Sequence, residues 1–417
     1  MERTPIALVG CGGMGRRHVA GLATLARSSF CTVELLAVCD RIRQNAEDLA
    51  DEVAQQLGTR PGVFADLDAL VAAMPEIRGA DVATDTASHH VVATACLERG
   101  LHVQCEKPLA LTLRGCNRVV AAAHRAGTIL SVAENYRRDP INRLARALIS
   151  DGAIGMPRIM VETVSSGGAN LLITPWRHHK TGGTVTLDVG VHHADILQYY
   201  LGEPVAAYGM ARLYERYRYK ADTDGPGGFY AKWAGDIPDV IEATGEDALC
   251  GVVHFAGDTI GQLSLNLAGH GPETHTRHLY GSTGSLIVPG DRLGQPLTLY
   301  RDGGVEVHGE EILDHAPSYC LSPLAAELFG GERVWRYDLP FPAIDARLLA
   351  LEYQEFGTCI QTGAQPEVTG ALGRRAVALI YALIEGGALG RLVSIDEVER
   401  VQVDAYQREI DEQFALV

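Results

Sequence analysis

The chain has 417 residues, a formal charge of −16, 47% hydrophobic and 21% charged residues. That length suggests two domains with ample material for buried cores, and a chain this acidic argues against nucleic acid or an anionic membrane as partner. Its nine scattered cysteines form no Cys-x-x-Cys pair, which speaks against a disulfide framework or structural zinc and for a reducing, cytoplasmic setting. The start MERTPIALVG reads as the beginning of a domain rather than a signal peptide, and no apolar run approaches the ~18 residues of a membrane span.

The first third alternates in type. Strands are predicted at PIALVG (5–10), VELLAVCD (33–40), ADVATDT (80–86), LHVQCEKP (101–108) and TILSVAENY (128–136). Helices are predicted between them at 14–27, 41–58, 67–74, 89–100 and 113–127. Such alternation means a parallel sheet covered on both faces. After about residue 155 the rhythm changes. Segments 158–166, 204–215, 247–257, 259–269, 277–290 and 297–309 read as successive strands separated by glycine turns, which implies a mostly antiparallel sheet. The stretch 219–240 is rich in Gly, Pro and Asp and predicts a long loop, and helices return at 341–363 and 371–387.

GCGGMG follows the first strand and opens the first helix, placing Gly10, Gly12 and Gly15 in a Gly-x-Gly-x-x-Gly pattern. Gly10 permits a tight turn, Gly12 lets backbone approach a pyrophosphate, and Gly15 lets helix and strand pack closely. The helix N-terminus favours the phosphate charge, and the whole turn, Gly13 and Met14 included, is expected to line a dinucleotide. Asp40 ends the second strand about 25 residues past Gly15, near the roughly 20 expected for a carboxylate that binds ribose hydroxyls. It favours NAD over NADP, while Arg41 beside it could tolerate a phosphate or stack on adenine.

CEKPLA (105–110) puts Glu106 and Lys107 at the end of a later strand, where ligands bind in open α/β sheets. TLDVGVHHADILQYYLG (186–202) concentrates Asp188, His192, His193 and Asp195. If it is helical, Asp188, His192 and Asp195 share one face and His193 points elsewhere.

Taken together, GCGGMGRRH (10–18), TDTASHHVVA (84–93), GLHVQCEKPLA (100–110), NYRRDP (135–140), GAIG (152–155), WR (176–177) and GGTVTLDVGVHHAD (182–195) resemble the glucose-fructose oxidoreductase, inositol dehydrogenase and rhizopine-catabolism group of NAD(P)-dependent oxidoreductases. The resemblance implies an α/β chain: a Rossmann domain over 1–136, then an α+β substrate-binding and oligomerisation domain over 137–417 with a large open, mostly antiparallel sheet. It implies Lys107, Asp188 and His192 as the catalytic group, with either Lys107 or His192 accepting the proton. Thr84, His89, Glu106, Lys107 and Arg177 would line the cofactor. Tyr136, Arg137, Trp176, Arg177 and His193 would join the catalytic group at the substrate. Three departures stand out: Asp85 where the family has Pro, Thr184 in place of a third Gly, and a long loop at 214–240.

The implied activity is oxidation of a secondary hydroxyl on a sugar, sugar derivative or cyclitol by a homodimer or homotetramer. Two other readings stay open: transient use of bound NAD to cleave a glycosidic bond, and a non-catalytic dinucleotide sensor. No metal is expected, because one helix face supplies only two of the three or four ligands a zinc site needs and Lys107 would repel the ion.

Overall fold

The computed structural model describes residues 3–221 and 228–417. Contact clustering divides the chain into two units, Met1–Asn135 with Asp224–Ala234 and Pro342–Arg374, and Tyr136–Thr223 with Gly235–Phe341 and Arg375–Val417. The chain passes to the second unit after Asn135 and returns to the first unit twice. Six residues of the predicted loop, 222–227, lie outside the described residues.

In the first unit the elements run β1 (Thr4–Val9), α1 (Gly13–Ala26), β2 (Val33–Cys39), α2 (Arg43–Leu57), β3 (Gly62–Phe64), α3 (Leu67–Ala73), β4 (Gly79–Val82), α4 (Thr86–Glu98), β5 (His102–Glu106), α5 (Leu113–Ala126) and β6 (Leu130–Ala133). Helix α5 shows why they form. Thr112 caps its start by accepting from Gly115 N, Gly127 ends it at φ 66°, and Leu113, Cys116, Val119 and Ala123 bury one face. The strands pair in parallel in the order β3-β2-β1-β4-β5-β6. Strand order therefore reverses between β1 and β4, and a crevice opens at their carboxyl ends. Asp85, the unexpected residue after Thr84, caps α4 by accepting from Ser88 N at 3.1 Å.

The second unit continues with α6 (Pro140–Ser150), β7 (Pro157–Gly167), α7 (Val185–Leu201), β8 (Pro204–Arg212), β9 (Tyr217–Tyr219), β10 (Val240–Glu242), β11 (Ala248–Phe255), β12 (Thr259–Gly269), β13 (Thr274–Gly281), β14 (Gly284–Val288), β15 (Thr298–Arg301) and β16 (Val305–Val307). After α8 (Pro323–Phe329) the chain returns to the first unit with α9 (Phe341–Thr362), and α10 (Gly370–Leu389), which begins there, leads back to β17 (Val393–Ser394). Nine strands form one sheet, β16-β15-β14-β13-β7-β12-β11-β8-β17. Only β7 and β12 pair in parallel; the other neighbours are antiparallel. The run 277–290, predicted as one strand, is a β13–β14 hairpin. Its turn is fixed because the Ser282 and Thr283 amides donate to the Met156 and Ile154 carbonyls.

Helix α7 packs on the sheet over β12, and nearly every residue of it is buried. A helix buried all round lies in an interior, so its polar groups must find partners there. Thr184, in place of the expected glycine, caps it by accepting from Leu187 N at 3.1 Å. A Cβ on Gly190 would lie 2.9 Å from Ile380 Cδ1 and 3.2 Å from Leu265 Cδ1, so glycine lets α7 pack against these two side-chain ends without either having to shift. The outward sheet face exposes Ile159, Met210, Val252, Ile260 and Tyr280. Among the described residues, no helix is long and apolar enough to cross a membrane.

Under α7, Arg277 on β13 stands directly opposite Glu162 on β7. Both are fully buried. The guanidinium donates to Glu162 Oε1 at 2.6 and 3.0 Å and to Asp291 at 2.8 and 2.9 Å. Burial opposes every one of these charges. Even so, Arg277 holds the Glu162 carboxyl well below its usual range and brings Asp291 down to about 2. Depressed folded-state values mean that this stability is complete above the unfolded carboxylate pKa of about 4. It is lost as pH falls toward about 2. Arg277→Met should therefore lower the stability measured by urea unfolding at neutral pH by about 3–5 kcal/mol, since two buried carboxylates lose their partner. The same variant should lose less further stability than the wild type between about pH 4 and 2, because little charge pairing remains to be titrated.

Candidate functional site

In the first unit, the three glycines of the Gly-x-Gly-x-x-Gly pattern in the β1–α1 turn have three separate reasons to be glycine. Gly10 has φ +102°, and a Cβ there would lie 2.7 Å from the Ala83 carbonyl and Thr84 N. A Cβ at Gly15 would collide with the Gly10 carbonyl oxygen. At Gly12 a Cβ would meet nothing within 4 Å, which leaves a cradle of the kind a pyrophosphate needs. Helix α1 begins at Gly13 with no side-chain cap on Gly12, so its first-turn amides can face an anion. Asp40 is fixed beside the turn, accepting from Cys11 N and Ile42 N, both at 2.8 Å. Met14 and Thr84 are half-buried and Arg41 is exposed.

The far side of the crevice is built on α4 and β5. Buried His89 donates from Nδ1 to the Pro108 carbonyl at 2.8 Å, and its Nε2 lies 3.2 Å from the Thr84 carbonyl. It thus ties the loop after β4 to the loop after β5. Glu106 ends β5 buried and accepts from Lys107 N at 3.0 Å; Lys107 itself is half-buried.

Glu106 also accepts from His18 Nε2 at 3.0 Å, while His18 Nδ1 donates to Asp81 at 2.7 Å. Tyr353 on α9 donates to the same Asp81 carboxylate. Burial works against a charge on His18, but the two flanking carboxylates raise its pKa well above the usual value. Both His18 ring nitrogens are thus committed to carboxylates, an arrangement that favours the imidazolium. Neither His18 nor Asp81 stood out in the sequence, although an acid inside the apolar strand GADV is a signal that a partner lies nearby.

In the second unit, α7 carries Asp188, His192 and Asp195 on one face, and each meets a different neighbour. Asp188 accepts from Arg177 Nε at 3.0 Å. Arg177 also donates to Thr174 Oγ1 at 2.7 Å and lies 4.1 Å from the Trp176 ring centre. His192 stacks flat on Tyr136, with centroids 4.0 Å apart and planes 1° from parallel. Asp195 takes two hydrogen bonds from Arg137, at 2.5 and 2.7 Å. The pair Tyr136–Arg137 thus clips onto α7. His193 turns toward the sheet and pairs with Glu162 Oε1 at 2.6 Å, its ring edge-on to Tyr136.

Glu162, His193, His275 and Asp291 have the mutual spacing of metal ligands, within 4.8 Å of one another. Arg277 already lies among them, with Nη2 2.6 Å from Glu162 and 2.8 Å from Asp291. A fixed guanidinium bridging both carboxylates takes the place a cation would need. Glu162 and Arg277 escaped the sequence reading because single charges in strands read as solvated; their inward register was the missing signal.

Residues 4–134 match the profile of an oxidoreductase family with an NAD-binding Rossmann fold, and residues 142–287 match the GFO/IDH/MocA C-terminal domain. Levoglucosan dehydrogenase of Pseudarthrobacter phenanthrenivorans is 24% identical over 95% of this chain and 100% of its own length. D-apiose dehydrogenase of Paraburkholderia graminis is 25% identical over 96% and 92%. Among solved structures, an oxidoreductase domain protein from Kribbella flavida superposes with a TM-score of 0.75 at 23% identity, covering 95% of this chain and 100% of that one. Levoglucosan dehydrogenase with NADH and levoglucosan gives 0.72 at 21%, covering 94% and 100%. The structural likeness is one of fold. With a profile of the same family matched in each half, the chain belongs to the GFO/IDH/MocA family of oxidoreductases with an NAD-binding Rossmann domain.

Proposed function

We propose that the protein is a cytoplasmic dehydrogenase that uses NAD to oxidise a secondary hydroxyl of a sugar, sugar derivative or cyclitol. The observation that carries this reading is the α7 face, where His192 lies flat on Tyr136 and Asp188 is held by Arg177. Relatives named levoglucosan dehydrogenase, D-apiose dehydrogenase and myo-inositol 2-dehydrogenase support the substrate class. Trp176, with Arg177 beside its ring, supplies the aromatic surface and polar edge that suit a sugar, while Tyr136, Arg137 and His193 act by positioning α7.

Bound NAD would supply the hydride acceptor. Of the two candidate bases we favour His192. An imidazole has an unperturbed pKa near ~6.5, suited to taking a hydroxyl proton near neutral pH. The electron-rich face of Tyr136 favours the imidazolium that results, and Asp188, one helical turn away, adds negative charge. Arg177 keeps that carboxylate in place. Lys107, at the end of β5, contributes positive charge that favours a developing alkoxide.

His192→Ala and Lys107→Ala should each lose at least about a hundredfold in kcat while still binding NAD, the scale of lost acid–base assistance. An absorbance screen for NADH formation across inositols, hexoses, anhydrosugars and glycosides supplies the substrate for that measurement. Turnover confined to hydroxy acids, amino acids or apolar alcohols would overturn the substrate class. His193→Ala should act mainly on stability, by about 1.5–3 kcal/mol, because it removes a hydrogen bond to buried, charged Glu162.

Cofactor choice rests on Asp40, whose anchored carboxylate would repel a 2′-phosphate. Thermal-shift titrations should show tighter binding of NAD than NADP, and Asp40→Ala should narrow the difference. A wild-type preference for NADP would refute this assignment.

The exposed apolar residues on the outward sheet face favour a homodimer or homotetramer, since such a face left in water invites aggregation. Light scattering at micromolar concentration should give a mass of at least two chains, and Ile260→Lys should shift it toward one. A one-chain mass for the wild type would rule out this assembly.

A further inference from the structure

A segment inside the predicted loop does something the glycine-rich turn alone does not explain. Residues 229–233 cluster with the first unit and lie against the start of α1. A Cβ on Gly13 would sit 2.6 Å from Cδ1 and 2.9 Å from Cζ of Tyr230. Gly13 is thus glycine because an aromatic ring rests on it. The Tyr230 hydroxyl, carried on Cζ, lies about one bond length farther along. Gly12, the neighbouring residue, is the one with open space above it.

The segment is anchored on both sides of this point. Phe229 has its ring centre 6.0 Å from the Arg17 guanidinium. Trp233 has the Arg16 guanidinium 5.4 Å and the Lys232 ammonium 5.3 Å from its ring centre. Lys232 pairs with Asp48 on α2, and Arg16 pairs with Glu52 on the same helix. An indole with two cations and two carboxylates around it forms a latch across α1 and α2.

We propose that residues 229–233 form a wall of the dinucleotide site, in which Tyr230 borders the pyrophosphate cradle and the Trp233 latch holds it there, so that the bound cofactor leaves slowly. The proposal rests on the NAD-binding role of the Rossmann domain. It adds an aromatic and hydroxyl contact supplied from outside the βα units. A phenol hydroxyl beside the turn can donate to a phosphate oxygen, and the ring shields the α1 amides from water. Both effects act at the pyrophosphate rather than at adenine.

The test uses the full-length protein with NADH, ADP-ribose and adenosine as probes. NADH release is followed by stopped-flow displacement with excess NAD+, reading the cofactor's own emission; ADP-ribose and adenosine affinities come from calorimetry. Tyr230→Ala and Trp233→Leu should release NADH at least about tenfold faster, the scale of one charge-assisted hydrogen bond. Tyr230→Phe, which removes that hydrogen bond and keeps the ring, should show most of the increase, and the difference between Phe and Ala reads the ring's shielding. ADP-ribose should weaken in parallel while adenosine stays within about twofold, by the same reckoning of one lost contact. Unchanged NADH release in variants with wild-type circular dichroism would overturn the wall, as would equal loss of adenosine and ADP-ribose. Wild-type protein that fails to bind NADH would overturn the dinucleotide reading itself, and the wall with it.

Discussion

The dinucleotide end of the first unit hangs on one buried charge. His18 reaches from α1 to Asp81 on β4 and Glu106 on β5, and Tyr353 of α9 joins it at Asp81. A protonated ring between two carboxylates has a fixed orientation, because both of its donors are used. That fixes the rotation of α1 over the strands on which the glycine turn, Thr84 and Lys107 are mounted. The arrangement is costly to assemble, since each charge must leave water, and breaking it at one point would strand the others. It therefore confers precise register more than it confers net stability.

The second unit uses the same device differently. There the fixed charge is Arg277, set by β-sheet register opposite Glu162, and the helix above is oriented through His193. Tyr136 and Arg137 then clip another side of the same helix, at His192 and Asp195. One helix is thus positioned from below by the sheet and from the side by a short 3₁₀ turn, with His192 between the two constraints. The residues that would meet substrate make few demands of their own; their neighbours set their geometry.

Much of this was legible in the sequence, and the reasons are physical. The alternation of strands and helices and the glycine spacing are local patterns, so the parallel sheet and its turn could be read directly. Asp188, His192 and Asp195 could be placed on one face by helical period alone. What could not be read were pairings between distant residues. The parallel β7–β12 neighbours, the Arg277–Glu162 opposition and the His18 network depend on three-dimensional register. Asp85 and Thr184, which looked like departures from a family pattern, turned out to cap helices. The return of α9 to the first unit was hidden because nothing in its sequence says which sheet it packs against.

Gly190 bears on how such a protein could be reshaped. At Gly190 a hydrogen atom stands where a methyl group would meet the side-chain ends of both Ile380 and Leu265. The helix is therefore a spacer of adjustable thickness. Trading volume between position 190 and its two neighbours would move His192 and Asp188 together, as one rigid rod, by tenths of an ångström. Substrate preference could then drift in a lineage through packing substitutions behind the helix, while the residues facing the ligand stay the same.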